Sequence, residues 1–114
     1  IANAAVIYNP TISFYKDGKY SATLTMQRAE INLDNYNVIG FGNCVVKTAD
    51  GQVLKTTDIH YDSKNNKVYS NKGVQIQRAS EFLEGASFEA DTSLKNIVIY
   101  KQSIVINDAG NNSI

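Results

Sequence analysis

The chain has 114 residues, 43% of them hydrophobic and 19% charged, and its eleven basic residues balance eleven acidic ones. That length supports one core, and a neutral chain has no net field to hold a polyanion, which excludes nucleic acid as a partner. A single cysteine, Cys44, excludes an internal disulfide and a cysteine-based zinc site, and no apolar run approaches the ~20 residues of a membrane helix.

In chain order, the opening IANAAVIY is short and lacks the basic start of a signal peptide. Asp17-Gly18 marks a first hairpin, after which Tyr20, Ala22, Leu24 and Met26 alternate with polar residues, the period of a half-buried strand. The apolar set then slips by one to Ala29, Ile31 and Leu33, which predicts a bulge near Gln27 and Arg28. A polar turn, Asp34 to Asn37, precedes a strand from Val38 that contains Gly40-Phe41-Gly42, read as a bend or a close contact between sheets. Asp50-Gly51 marks the second hairpin, and Leu54 and Thr56 slip to Ile59 and Tyr61. Ser63 to Asn66 is the next turn, Ala79-Ser80 a third hairpin, and Leu83 and Gly85 slip to Phe88 and Ala90 before the turn Ser93 to Asn96.

Leu24, Leu54 and Leu83 fall 30 and 29 residues apart, as do Ala29, Ile59 and Phe88. The chain therefore reads as about three and a half copies of a β-meander, an all-β architecture of stacked units with each unit buried on its neighbours. Gln77 to Ala86 has helix-friendly residues, but the repeat overrides that propensity. One domain is expected over 1–107, with a disordered polar tail at 108–114. Strict alternation turns inward Phe14, Leu24, Met26, Ile31, Val38, Val46, Leu54, Ile59, Tyr61, Val68, Val74, Ile76, Leu83, Phe88, Ile97, Ile99, Ile104 and Ile106. It turns outward Lys47, Lys55, His60, Gln75, Gln77, Glu84 and Glu89. A sheet lined this way must fold over on itself, as a flattened roll with two open ends and unpaired edge strands.

Catalysis needs an acid, base or nucleophile gathered in a cleft, and none emerges. His60, the only histidine, falls on the outward side, and Cys44 aligns with the inward positions of Phe14 and Val74 as a buried thiol. Asn32, Asp62 and Asp91 recur at the repeat spacing, without the dense oxygen ligands of a calcium loop, and read as turn caps. Neither a metal nor a cofactor is expected. What remains is an apolar groove and two strand edges.

Gly42, Val45 and Val46, Asp50-Gly51, Leu54 and Thr56, Tyr61-Asp62, Val74 and Ile76, Gly85 and Asp91 together resemble the lipopolysaccharide-export family LptC and, more distantly, LptA and OstA-type domains. The resemblance spans about residues 12 to 106, and Tyr15 to Ile31 looks like the family's first unit, with Ala29 in its alanine place. The large aromatic common after the family's first Asp-Gly has only Tyr20 as a counterpart here. The resemblance implies an elongated β-jellyroll, or β-taco, that passes lipopolysaccharide between its sheets. The inward residues would hold the acyl chains, with Phe14, Ile31, Ile59, Phe88 and Ile99 foremost. It implies an edge at Ile7, Ile12 and Phe14 for the β-domains of an inner-membrane ABC transporter. A second edge at Ile97, Ile99, Ile104 and Ile106 would pair with an LptA-like protein, and either edge could join two copies in a homodimer. It also implies a periplasmic domain tethered to the inner membrane by an N-terminal helix absent from this chain. A structural repeat bridge, or an adhesin-like domain with a sealed core and no ligand, is the alternative.

Overall fold

The computed structural model describes residues 3–101 and 103–106, the last four by their backbone alone. The tail expected at 108–114, and the side chains of Ile104 and Ile106, lie outside the described residues. Twelve strands run in chain order: β1 Ala4–Tyr8, β2 Thr11–Lys16, β3 Lys19–Thr25, β4 Arg28–Asn32, β5 Val38–Thr48 and β6 Val53–Asp62. They continue as β7 Lys67–Ser70, β8 Val74–Arg78, β9 Glu81–Gly85, β10 Ser87–Asp91, β11 Ile97–Tyr100 and β12 Ser103–Ile106. Gln77 to Gly85 is strand and hairpin, as the repeat register requires of it.

All pairings are antiparallel, and the sheet forks at its two long central strands. The second half of β5 pairs with β3 and its first half with β4; the first half of β6 pairs with β8 and its second half with β7. Two leaves result. Leaf I runs β2-β3-β5-β6-β8-β9-β12, and leaf II runs β1-β4-β5-β6-β7-β10-β11. They share a spine where the chain crosses seven times, at Asn9, Gln27, Gly42, Thr57, Gly73, Ala86 and Lys101. The slip predicted at Gln27 and Arg28 is one of these crossings, and it separates β3 from β4.

Direction of travel decides how each crossing bends. Crossings from leaf II to leaf I use left-handed backbone, at Asn9 (φ 53°), Gly42 and Asn43 (78° and 52°), Gly73 (87°) and Lys101 (53°). The opposite crossings, near Gln27, Thr57 and Ala86, use none. Antiparallel neighbours meet one fold line from opposite sides, so alternate crossings need different backbone, and Gly and Asn enter that region at low cost. Hydrogen bonding continues over the spine, from Asn9 N to Gln27 O (2.8 Å), Gln27 N to Gly42 O (2.9 Å) and Ala86 N to Tyr100 O (2.9 Å).

The predicted hairpins Asp17-Gly18, Asp50-Gly51 and Ala79-Ser80 are the three tips of leaf I. Positive φ at both Asp17 and Gly18 suits a tight two-residue hairpin. The turns of leaf II are capped by Asn32, Asp62 and Asp91, whose side-chain oxygens accept backbone N–H groups two to five residues on. The capping role read from the sequence is thus seen in all three. Amide hydrogen bonding from Asn65 leads in holding the Asp62 carboxyl below its usual range. Burial pushes Asp91 the other way, but the bonds from Asn96, Lys95 and Ser93 outweigh it and the net shift is also downward.

Candidate functional site

Cross-strand register sorts the inward side chains into rows, because residues directly opposite in an antiparallel pair share a face. In leaf I the central row is Ile12, Leu24, Val46, Leu54, Ile76 and Leu83, each opposite the next, and Leu83 faces the Ile104 backbone. In leaf II one row runs Ile7, Ala29, Gly40, Ile59, then Ser70, Phe88 and Ile99. Nearer the tips, a second runs Ala5, Ile31, Val38, Tyr61, Val68, Ala90 and Ile97. The equivalences Leu24-Leu54-Leu83 and Ala29-Ile59-Phe88 hold as rows of the folded sheet. One equivalence does not. Phe14 stands opposite Ala22, itself opposite Thr48, whereas Cys44 stands opposite Thr56 near the spine. Phe14 is therefore a residue of the tips and not the counterpart of Cys44 and Val74, because the first hairpin of leaf I has longer arms than the other two, its row residues Ile12 and Leu24 standing further apart in the chain than Val46 and Leu54 or Ile76 and Leu83.

Most of the inward set is buried: Phe14, Leu24, Met26, Val38, Val46, Leu54, Ile59, Val68, Val74, Ile76, Leu83 and Phe88. Ile31, Tyr61, Ile97 and Ile99 pack against that cluster while partly exposed. The outward set lies on the surface, with His60 stacked on Tyr69 at 4.8 Å. The groove between the leaves is filled by its own side chains at the centre, where Leu24, Val46, Leu54, Ile59 and Ile76 have no exposure at all. The leaves touch across it, with the Phe14 and Tyr61 rings 5.0 Å apart. Glycine allows the closest approach. A Cβ on Gly40 would stand 2.5 Å from Met26 Sδ, and one on Gly85 would strike Ile99.

Polar groups gather toward the tips of leaf I. The hydroxyl of Thr48 bonds Asp50 and accepts from Gln52 N at 2.9 Å; Thr48 and Gln52 are buried, as is Thr92 in the third turn of leaf II. Thr48 and Gln52 together hold the Asp50 carboxyl below its ordinary range. Near the spine, Thr56 Oγ1 donates to Gly73 O at 2.6 Å and ties leaf I to the crossing between β7 and β8. Cys44 is buried beside it, and burial, reinforced by the charge of Asp58, pushes its thiol up to about 11. A thiol held neutral and out of water is a small hydrophobe rather than a nucleophile. Among the described residues no three His, Cys, Asp or Glu side chains come together as a metal site would require.

At the ends the same rows lose their cover. Ile7, inward and opposite Ala29, is 42% exposed because, among the described residues, β1 has no further neighbour in leaf II. Strands β1 and β2 are one pair of edges and β11 and β12 the other, so Ile7, Ile12, Phe14, Ile97, Ile99, Ile104 and Ile106 all lie on edge strands. Leu94 is a core residue that sequence reasoning missed: it sits in a polar turn yet is 0% exposed. The buried rim of Thr48, Gln52 and Thr92 was missed as well, since nothing in a polar tip announces burial.

A family model described as lipopolysaccharide-assembly, LptC-related, matches residues 2–106. No curated protein matches the sequence. Among solved structures, LptH from Pseudomonas aeruginosa is described as the LptA-homologous periplasmic component of the conserved lipopolysaccharide transport device. It aligns with a TM-score of 0.62 at 15% identity, over 90% of this chain and 94% of that one. At that identity the likeness shows the fold, a β-jellyroll of the LptA type.

Proposed function

Because the chain belongs to the LptC-related lipopolysaccharide-assembly family, a periplasmic family of transport components and not of enzymes, we propose that it carries lipopolysaccharide between its two leaves. The observation that carries this reading is the run of apolar rows from one pair of edge strands to the other, interrupted by Ser70 in one row and partly exposed at Ile7, Ile12, Ile97 and Ile99. An acyl chain lying along a row exchanges water for side chains, at about 0.8 kcal/mol per methylene. Leu24, Val46, Leu54, Ile76 and Leu83 would form one wall, and Ile31, Ile59, Tyr61, Phe88 and Ile99 the other. The polar rim at Thr48, Gln52 and Thr92 suits the head of such an amphiphile, with its chains toward the spine.

The edges supply the connections. Strands β1 and β2 would pair with the β-domains of an inner-membrane ABC transporter. Strands β11 and β12 would pair with an LptA-like protein, whose added strands would extend both leaves and both rows. Either edge could also join two copies of this chain. The whole of 1–107 would act as one unit, held to the inner membrane by an N-terminal helix, and the transporter would supply the energy.

Photo-crosslinking to purified lipopolysaccharide tests this, with the probe at Phe88 in one variant and at neighbouring Glu89, which faces solvent, in another. Adducts from position 88 and none from 89 are expected. Adducts at neither site in folded protein would favour the alternative, a sealed structural bridge.

A further inference from the structure

The three turns of leaf II occupy equivalent places in the repeat but do not present equivalent residues. In the first, Leu33 is 43% and Tyr36 65% exposed; the second, Ser63 to Asn66, is polar throughout. Only the third, between β10 and β11, sends a large apolar side chain inward, with Leu94 wholly buried in the core cluster. Its backbone is left-handed (φ 59°), a conformation that glycine and asparagine tolerate and leucine rarely adopts. Exposed Tyr36 in the first turn takes the same region (φ 61°), so burial is not what imposes this backbone on Leu94.

This turn also reaches the facing leaf. Ser93 and Lys95 share a cleft of about 540 Å³ with Lys16, Tyr20, Ser21 and Asp50 from the tips of leaf I. Its hydrogen bonds, however, are its own. Leu94 N donates to Asp91 O (3.1 Å), and Lys95 N and Asn96 N donate to Asp91 Oδ1 (2.9 and 3.4 Å). Among the described residues, no hydrogen bond or ion pair joins residues 92–96 to leaf I. The turn keeps its shape through Asp91, and Leu94 carries its one large apolar side chain into the core cluster.

We propose that the β10–β11 turn is a latch whose Leu94 closes the mouth between the leaves and must swing out before an acyl chain enters from that side. This rests on the reading that lipid lies between the leaves. A buried apolar side chain in a turn with no polar bond to leaf I is suited to the task, because an acyl chain offers the vacated place an equivalent apolar surface. The Asp91 cap lets the turn move as a body without unfolding.

The test is stopped-flow association of purified lipopolysaccharide with the full chain, comparing Leu94→Asn with wild type. Asparagine keeps the left-handed backbone and is a poor plug. Tyr36→Asn, at the exposed left-handed position of the first turn, is the control. Association about tenfold faster for Leu94→Asn, with Tyr36→Asn unchanged, is expected, since the rate follows the fraction of molecules already open. A folded Leu94→Asn that associates at the wild-type rate overturns the latch and leaves the lipid reading standing. Binding by none of the three overturns the lipid reading, and the latch with it. Should Leu94→Asn fail to fold, amide exchange in the unaltered chain decides. The amides of Leu94, Lys95 and Asn96 opening together, ahead of β5 and β6, support the latch; exchange only in step with those strands overturns it.

Discussion

The centre of the folded sheet and its two ends are built from the same residue pattern and behave differently. At the centre, β5 and β6 pass through both leaves, and Val46, Leu54 and Ile59 have neighbours on both sides and across the gap; none is exposed. At the ends, Ile7, Ile12 and Ile99 occupy the same rows, but among the described residues β1, β2 and β11 lack a neighbour on one side, and these residues stay partly or largely exposed. Position in the stack, not residue type, decides which part of a row is core and which is surface. Stability should therefore concentrate at the centre, while the ends remain free to extend into another β-jellyroll.

The sharpest way to break the comparison is to truncate one residue of each kind. Leu54→Ala should cost about 2–5 kcal/mol by urea unfolding, as a fully buried leucine does, whereas Ile7→Ala should cost less than about 1 kcal/mol. Equal losses would mean that the ends are as tightly packed as the middle. Next in size is Gly40→Val, which forces a side chain against Met26 and Ile59 beside the spine. A loss of about 1–3 kcal/mol is expected, and none would show that the packing beside the spine gives way without cost.

The central thiol provides a smaller, pH-dependent reading. Cys44 has its folded pKa raised to about 11, so the native state resists ionisation that the unfolded chain permits. Its contribution is complete below the ordinary cysteine range near 8.5 and is lost as pH rises toward 11. Alkylation of the native protein at pH 8 should be slow and become fast on unfolding; rapid native alkylation would place the spine in water. Smallest of all should be Lys67→Ala. Lys67 pairs with Glu89 at 3.1 Å on the outside, both half-exposed, and its loss should change stability by less than about 1 kcal/mol.

Much of this was legible in the sequence because a strand that buries one face must alternate. The 30-residue spacing of Leu24 and Leu54, the Asp-Gly hairpins and the outward His60 all follow from that constraint. What was not legible depends on contacts between leaves. Leu94 sits among Thr, Ser, Lys and Asn, and no local pattern distinguishes a turn that crosses the mouth from one that points into water. A fixed period sets Phe14 level with Cys44 because it cannot see that the first hairpin of leaf I has longer arms than the others. Closure of the groove was hidden for a related reason: alternation shows which side chains face inward, not how far apart the two inward faces stand.

That separation is the quantity on which the account depends. Lys47 and Glu89 are exposed, outward-facing and on opposite leaves, so Lys47→Cys and Glu89→Cys together allow two spin labels to be attached while buried Cys44 remains unlabelled. The distance between the labels is then measured with and without lipopolysaccharide. Lipid entering between the leaves should lengthen it by several ångströms, a large fraction of the ~10 Å spacing at which packed sheets stand. An unchanged distance with lipopolysaccharide bound would put the lipid outside the leaves and contradict the account.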